Sequence, residues 1–333
     1  MKNLITDVPG LRVGHAHDEQ IASGVTALIF DSPAVASIAI HGGAPGLRDT
    51  ALLEPEMTVD RVDALVLSGG SIFGLDSMGG VIAFLREIGR GFPVLEIKAP
   101  IVPGAALFDL LNGGDKNFGR EPVYWHLGYQ AAAAAAESFA LGTAGAGFGA
   151  TTVDLKGGLG SASAMTSGGF VVGALVAVNA VGRATIGEGP HFWAAPYEQN
   201  REFGGLGLPS PWPADALAFR IKGGAPQNTT IAIVATDAAL TKAESKRLAI
   251  MAHDGMARAL HPSHAPMDGD TIFAAATGSS ATAATIIDKT EIGHCASGCL
   301  ARAIARAVYE ATPLPFPGAL PSWQRRHQLA RIR

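Results

Sequence analysis

Gly223-Gly224-Ala225-Pro226-Gln227-Asn228-Thr229-Thr230 runs directly into Ile231-Ala232-Ile233-Val234. The first part is turn chemistry. Glycines supply unusual φ angles, Pro226 fixes its own, and the Asn228 amide can hydrogen-bond its own backbone and bend the chain. The second part is an unbroken apolar run, which predicts a strand over 229–235. The Asn228–Thr229 bond is thus delivered by a turn onto the first rung of a rigid strand. A threonine opening a strand is ordinary, but a cut at this bond gives it a second property. Its hydroxyl and its new α-amine then lie on one residue, a nucleophile beside its own base. That arrangement implies self-processing and amide hydrolysis. Thr230 is the fallback nucleophile, although the next residue of a strand points to the other face.

Working outward, the texture is mixed α/β. Strands are expected at 25–30, 36–41, 62–67, 93–97, 272–276 and 170–178, the last reaching Asn179. Helices are expected at 73–88, at 126–141 as an Ala-rich segment, and from the capping box Thr241-Lys242-Ala243-Glu244 to about residue 260. A last amphipathic helix is marked by Leu300, Ala303, Ile304, Ala307 and Val308. No polar linker, charge block or repeat divides the chain, so 1–333 reads as one domain. Strands and helices fall on both sides of the junction. A cut would leave interlocked pieces, 1–228 and 229–333.

Hydrophobic residues make up 48% and charged residues 16%, enough for a large core. A net charge of -4 gives no reason to expect nucleic acid or an anionic membrane as partner. The basic tail Arg325-Arg326-His327…Arg331-Ile332-Arg333 reads as a solvated end or a subunit contact. The amino terminus lacks a signal-peptide pattern. The best membrane candidate, 170–181, is too short to span and carries Asn179. With Cys295 and Cys299 its only cysteines, the chain is expected to be soluble and cytoplasmic.

Met267-Asp268-Gly269-Asp270-Thr271 places two carboxylates around a glycine. It resembles the start of a calcium loop, but 271–277 holds none of the later acidic ligands. The pair is either a solvated turn or a device that positions an α-ammonium or a threonine hydroxyl. Asn179, polar in an apolar strand, must be paired; it is a structural hydrogen bond or an oxyanion donor. Gly145-Ala146-Gly147-Phe148-Gly149-Ala150 fits a dinucleotide fingerprint but follows an Ala-rich helix and has no acidic residue twenty positions on. Lys156 in Lys156-Gly157-Gly158-Leu159-Gly160-Ser161-Ala162-Ser163 reads as a surface charge or as a catalytic group, and Ser161 lacks a nucleophile elbow. His15-Ala16-His17 and His294-Cys295-Ala296-Ser297-Gly298-Cys299 lack zinc-site spacing. The two cysteines read as core residues opening a helix. His253, His261 and His264 precede the Asp pair without an H-E-x-x-H motif. No metal or organic cofactor is expected.

Taken in order, six segments resemble the P1 peptidases, also called the DmpA-like or β-aminopeptidase family. They are Ile5-Thr6-Asp7-Val8-Pro9-Gly10-Leu11-Arg12-Val13-Gly14-His15, His41-Gly42-Gly43-Ala44-Pro45-Gly46-Leu47-Arg48-Asp49-Thr50, Leu67-Ser68-Gly69-Gly70-Ser71-Ile72-Phe73-Gly74-Leu75-Asp76, Lys156-Gly157-Gly158-Leu159-Gly160-Ser161, Asn228-Thr229-Thr230-Ile231 and Met267-Asp268-Gly269-Asp270-Thr271. The family includes L-aminopeptidase/D-amidase-esterases, β-peptidyl aminopeptidases and nylon-oligomer hydrolases. The resemblance implies an α/β fold of the αββα four-layer sandwich type, shared with ornithine acetyltransferases. It implies a precursor that cuts itself into α and β chains, and a homo-oligomer of the processed units.

By position, Thr229 matches the family nucleophile, Asn179 the asparagine of the oxyanion site, and Asp268 and Asp270 the paired residues beside the nucleophile. Phe73 stands where some members have a tyrosine facing the site. Lys156, or Asp154 by a shifted alignment, matches a substrate-contacting lysine of the nylon-oligomer members. The implied activity is that of an aminopeptidase or amidase on small peptides, amides or esters of α-, β- or D-amino acids. Two other readings use the same fold: an acyltransferase of the ornithine-acetyltransferase type, and an unprocessed, non-enzymatic binding protein.

Overall fold

The structure, a computed structural model, describes residues 1–223 and 228–327. The expected turn at 224–227 and the tail 328–333 lie outside the described residues. Eleven strands are formed by the described residues: β1 (Leu11–Asp18), β2 (Ser23–Ile40), β3 (Gly46–Arg48), β4 (Arg61–Ser68), β5 (Phe92–Val94), β6 (Ile97–Ala99), β7 (Gly104–Ala106), β8 (Gly158–Met165), β9 (Val171–Asn179), β10 (Thr229–Thr236) and β11 (Thr271–Ala276). Six helices accompany them: α1 (Ser71–Gly74), α2 (Ser77–Glu87), α3 (Tyr124–Ala133), α4 (Lys242–Ala257), α5 (Ile286–Tyr309) and α6 (Trp323–His327).

Strand pairing runs β3-β7-β4-β2-β11-β10-β9-β8, with β1 added to β2 and a separate β5–β6 hairpin. The long strand β2 carries this path from one layer to another. Its first half pairs with β1 and β4, its second half with β11, and the register with β4 shifts between Ile29 and Ala34. Val25, Ala27 and Ile29 face the core under α2 and α3. Leu28, Phe30, Ala36 and Ile38 face a central core shared with Ile231, Ile233 and Phe273. Ala39 belongs to a third core, under α4 and α5. The order of layers is therefore helix, sheet, sheet, helix, the αββα sandwich that the motifs imply. The strand segments 25–30 and 36–41 are one strand, because the exposed residues 31–33, with Pro33 at the bulge, stay extended instead of turning.

β10 lies between β9, antiparallel, and β11, parallel. All eight of its residues are buried. Full burial of each Ile or Val here contributes ~1.5–3 kcal/mol, so the strand behind Thr229 is held on both faces and both edges.

Three helices differ from expectation. The 73–88 segment breaks into α1 and α2, since Ser71 at φ 53° forces a tight start after Gly70 and the chain re-aims at Asp76. The Ala-rich helix ends at Ala133 because Ala136 leaves to exchange backbone hydrogen bonds with Val13, at 2.9 and 3.1 Å. The last helix begins a full fourteen residues before Leu300, at Ile286, with a Thr285/Asp288 capping box; Cys295 and Cys299 lie inside it, and Cys299 is buried. The 93–97 segment is not one strand: it spans the end of β5, a turn at Leu95 (φ 53°) and Glu96, and the first residue of β6. Among the described residues, no helix is long and apolar enough to cross a membrane.

Candidate active site

The start of β10 brings the sequence's candidate residues together. Thr229 pairs with Asn179 at the end of β9, and Asn228 forms a parallel bridge with Asp268, just before β11. Asn179, Asn228, Thr229, Asp268 and Asp270 are all buried. The Gly269 N–H donates to the carbonyl oxygen of Asn228 at 3.1 Å. The Thr229 hydroxyl donates to the same oxygen. Both side-chain polar atoms of Asn228 are buried without a hydrogen-bond partner among the described residues.

The glycine in Asp268-Gly269-Asp270 is required by this closeness. A Cβ on Gly269 would lie 2.6 Å from Thr229 Oγ1 and 2.9 Å from the Ala44 carbonyl oxygen. Gly42 meets the loop from the other side, and a Cβ there would lie 2.3 Å from Asp270 N. The His41-Gly42-Gly43-Ala44 segment is bound backbone to backbone. His41 N and Gly42 N donate to Asp270 O at 3.0 and 3.1 Å, and Ala44 N donates to Asp268 O at 2.8 Å.

The two carboxylates have different surroundings. Asp270 Oδ1 accepts from Thr230 N at 3.0 Å, and its Oδ2 accepts from His264 N at 2.8 Å and meets His264 Nδ1 at 2.9 Å. Asp268 Oδ1 accepts from Gly269 N at 3.2 Å. Burial, and then the neighbouring Asp270, push the Asp268 carboxyl well above the usual range.

Asn179 is fully engaged through its oxygen. Oδ1 accepts from Asn112 Nδ2 at 2.9 Å, Thr151 N at 3.1 Å and Lys222 Nζ at 3.0 Å. Its Nδ2 donates to Phe108 O at 2.7 Å, which leaves the amide's second proton to serve a ligand. Burial pushes the Lys222 ammonium down to about 8.

Two cavities meet at this point. One of about 260 Å³ is lined by Ala44, Ser71, Ile72, Met267 and Thr229; the other, of about 520 Å³, by Asn112, Thr151 and Lys222. Phe108 and Asn228 line both.

Lys156 and Phe73 stand apart from the cluster. Lys156 is not a surface charge: it is 1% exposed, and Nζ donates to the carbonyls of Gly147, Ala150 and Gly157 at 3.0, 2.9 and 2.9 Å. The three oxygens supply the partners that let a cation stay inside. Burial still pushes it down to about 7. The alternative residue, Asp154, pairs with Arg183 at 3.1 Å and Arg326 at 2.8 Å. Phe73 is exposed, edge-on to Phe118; its neighbours Ser71 and Ile72 line the smaller cavity instead.

Sequence reading missed Lys222, Asn112 and the role of His264. Lys222 is one basic residue in an irregular segment, and only its contact with Asn179 distinguishes it. His264 was visible beside His253 and His261, but the fold regroups them. His261 stacks on Trp193, whereas His41 joins His253 and His264.

The model of peptidase family S58 matches residues 3–318. An uncharacterized aminopeptidase of Mycobacterium tuberculosis is 40% identical over 353 residues, covering 96% of this chain and all of that protein. A 6-aminohexanoate-oligomer endohydrolase of Kocuria sp. is 27% identical, covering 83% of this chain and 75% of that protein. Among solved structures, a Burkholderia sp. β-aminopeptidase superposes with a TM-score of 0.73 at 22% identity, covering 98% of this chain and 92% of its own. The L-aminopeptidase D-Ala-esterase/amidase of Ochrobactrum anthropi, described as a variant of the Ntn-hydrolase fold, gives 0.73 at 21% identity with the same coverage. The chain therefore belongs to peptidase family S58, the DmpA-like family its motifs resemble, and is a hydrolase of amide bonds.

Proposed function

We propose that the chain cuts itself between Asn228 and Thr229 and then acts as an aminopeptidase through Thr229. The observation that carries this reading is the double engagement of the Asn228 carbonyl oxygen, by the Gly269 N–H at 3.1 Å and by the Thr229 hydroxyl. An N–H aimed at a carbonyl oxygen polarises the bond and stabilises the charge that develops on attack, an effect worth ~3 kcal/mol per donor.

In processing, Thr229 Oγ1 attacks the Asn228 carbonyl carbon. The hydroxyl proton passes to the Thr229 nitrogen as the C–N bond breaks, and an ester replaces the amide. Water hydrolyses the ester, giving the Asn228 carboxylate and a free Thr229 amine. In turnover that amine takes the hydroxyl proton while Oγ1 attacks the substrate carbonyl. The second Asn179 Nδ2 proton and the Gly269 N–H steady the oxyanion. The amine hands its proton to the departing amine, and water cleaves the acyl-enzyme. An α-amine titrates near ~7.7–8.0, so it serves as base at neutral pH with little tuning.

Asp268 and Asp270 orient that amine. Its positive charge would draw the proton from Asp268 that burial now favours. Withdrawal of Asn228 would open the wall between the two cavities and leave Thr229 in one continuous space for a short peptide, amide or ester of an α-, β- or D-amino acid.

Mass spectrometry of the purified protein tests this. The expected pieces have 228 and 105 residues (333 minus 228). Thr229→Ala should remain a single inactive chain, and Thr229→Ser should mature and keep part of the activity. Full hydrolysis of amino-acid p-nitroanilides by an uncut chain would overturn the proposal.

A further inference from the structure

Next to the Asp268–Asp270 loop, three histidines from three parts of the chain converge. His41 directly follows the last residue of β2, His253 lies on α4, and His264 lies in the loop that leads to β11. Each ring offers a nitrogen within 4.8 Å of one on both others. His253 is buried, and its Nε2 lies 3.0 Å from the Ala39 carbonyl oxygen. A carbonyl accepts only, so Nε2 carries the proton and Nδ1 holds a lone pair. That Nδ1 is buried and has no hydrogen-bond partner among the described residues. His264 is fixed the same way: Nδ1 faces Asp270 Oδ2 at 2.9 Å, so its lone pair is on Nε2. The backbone of His264 is held at φ 58°, a conformation that costs ~1–3 kcal/mol and persists only where the surroundings impose it.

We propose that His41, His253 and His264 form a binding site for a late first-row divalent cation of the zinc class, through His253 Nδ1, His264 Nε2 and a ring nitrogen of His41. Three features match such a site. The ligands are imidazoles, which suit Zn²⁺ over hard cations. Two have their tautomer set by the partner on the other nitrogen. The Asp270–His264 pair repeats the carboxylate–histidine arrangement that supports metal-bound imidazole. A three-histidine set leaves a fourth tetrahedral position for water.

The site must close to bind. Nitrogens on a zinc ion at ~2.0–2.1 Å stand ~3.3 Å apart in a tetrahedron. The His41 ring lies stacked on His253, 3.7 Å between centroids and 16° from parallel. A bound ion lies in the plane of each imidazole, so two stacked rings cannot both point at it. His253 and His264 are pinned by Ala39 and Asp270, whereas His41 is exposed at a strand end and is the ring that turns. Because Asp270 also holds Thr230 N, the bound ion would brace the backbone beside Thr229.

The test uses full-length, tag-free, chelator-treated protein. Titration with Co²⁺ should give the visible d–d absorption of a tetrahedral nitrogen site, saturating at one equivalent and abolished by one equivalent of Zn²⁺. His41→Ala should weaken Zn²⁺ binding by about 100-fold or more in calorimetry, the upper end of what loss of a supporting group costs, without lowering the melting temperature of the metal-free protein. His126→Ala, on an exposed ring elsewhere, should change neither. Absence of the Co²⁺ band, or Zn²⁺ affinity unchanged in His41→Ala, would overturn the assignment.

Discussion

Asn179 and Thr229 stand directly opposite each other on the last rung of β9 and the first rung of β10. Paired residues of an antiparallel ladder point to the same face, so the amide and the hydroxyl share one side of the sheet. Four groups hold Asn179: Asn112, Thr151 and Lys222 at its oxygen and Phe108 O at its nitrogen. Asn179→Asp keeps the acceptor and the size but sets a second oxygen against Phe108 O and removes the donor aimed at the oxyanion. We expect kcat to fall about 100-fold, the loss typical of one such donor, with KM changed far less. Steady-state kinetics on a p-nitroanilide substrate, alongside circular dichroism to check folding, measures this.

Lys222 should shape the pH profile. Burial holds its folded pKa down to about 8, so the cation is present below that pH and is lost as pH rises through it. The charge faces the oxygen of Asn179 at 3.0 Å and makes its N–H a better donor. In the proposed mechanism the Thr229 amine works in the opposite sense, gaining activity as it deprotonates near ~7.7–8.0. The two limbs give a narrow bell. Lys222→Met should lower the rate about tenfold, the low end (~1.5 kcal/mol) of what a hydrogen bond from a charged group contributes, and remove the falling limb. Lys222→Arg should keep the rate but carry the plateau to higher pH. A falling limb near 8 in Lys222→Met would assign it to another group.

The start of β10 at Thr229 was legible because its signals are local. Asn228, Thr229 and the apolar run behind them lie within a few residues, and so do Asp268, Gly269 and Asp270. Asn179 showed itself as the polar end of an apolar strand. What sequence reading missed depends on distant partners. β2 reads as two strands because Asp31-Ser32-Pro33 has turn composition, yet β1 and β4 hold one half extended and β11 the other. Lys156 reads as a surface residue because lysine rarely goes inside; only the loop of Gly147, Ala150 and Gly157 provides the three acceptors that take it there. His41 lies 212 positions before His253 in the chain, a separation across which spacing carries no signal.

Gly269 offers a test of proximity itself. A methyl group there would meet Thr229 Oγ1 at 2.6 Å and the Ala44 carbonyl at 2.9 Å. The conflict is with Thr229 and the loop facing it, away from the main cores. Gly269→Ala should therefore fold, lose ~1–3 kcal/mol of stability through overpacking, and leave the 228–229 bond intact for far longer than wild type. Electrophoresis over a time course after synthesis shows the difference. Processing at the wild-type rate would mean that the Gly269 approach has no part in the cut.

Lys156 gives a prediction about stability and pH. Its folded pKa is depressed to about 7 by burial, against ~10.4 in an unfolded chain. Between those values the unfolded chain binds a proton that the folded chain has given up. Stability contributed by this group therefore rises with pH across that window, and falls as pH drops toward 7. Lys156→Met removes the titration but leaves the carbonyls of Gly147, Ala150 and Gly157 without their donor, at ~1–3 kcal/mol for each oxygen that water cannot reach. The variant should be less stable than wild type at pH 7, and its deficit should widen as pH rises toward 9, because only wild type gains. Urea unfolding of both proteins at pH 7, 8 and 9 measures the difference directly, and Lys222, present in both, cancels from it. A deficit that stays constant would show that Lys156 titrates at the same pH folded and unfolded, with the three carbonyls then stabilising the ammonium as well as water does.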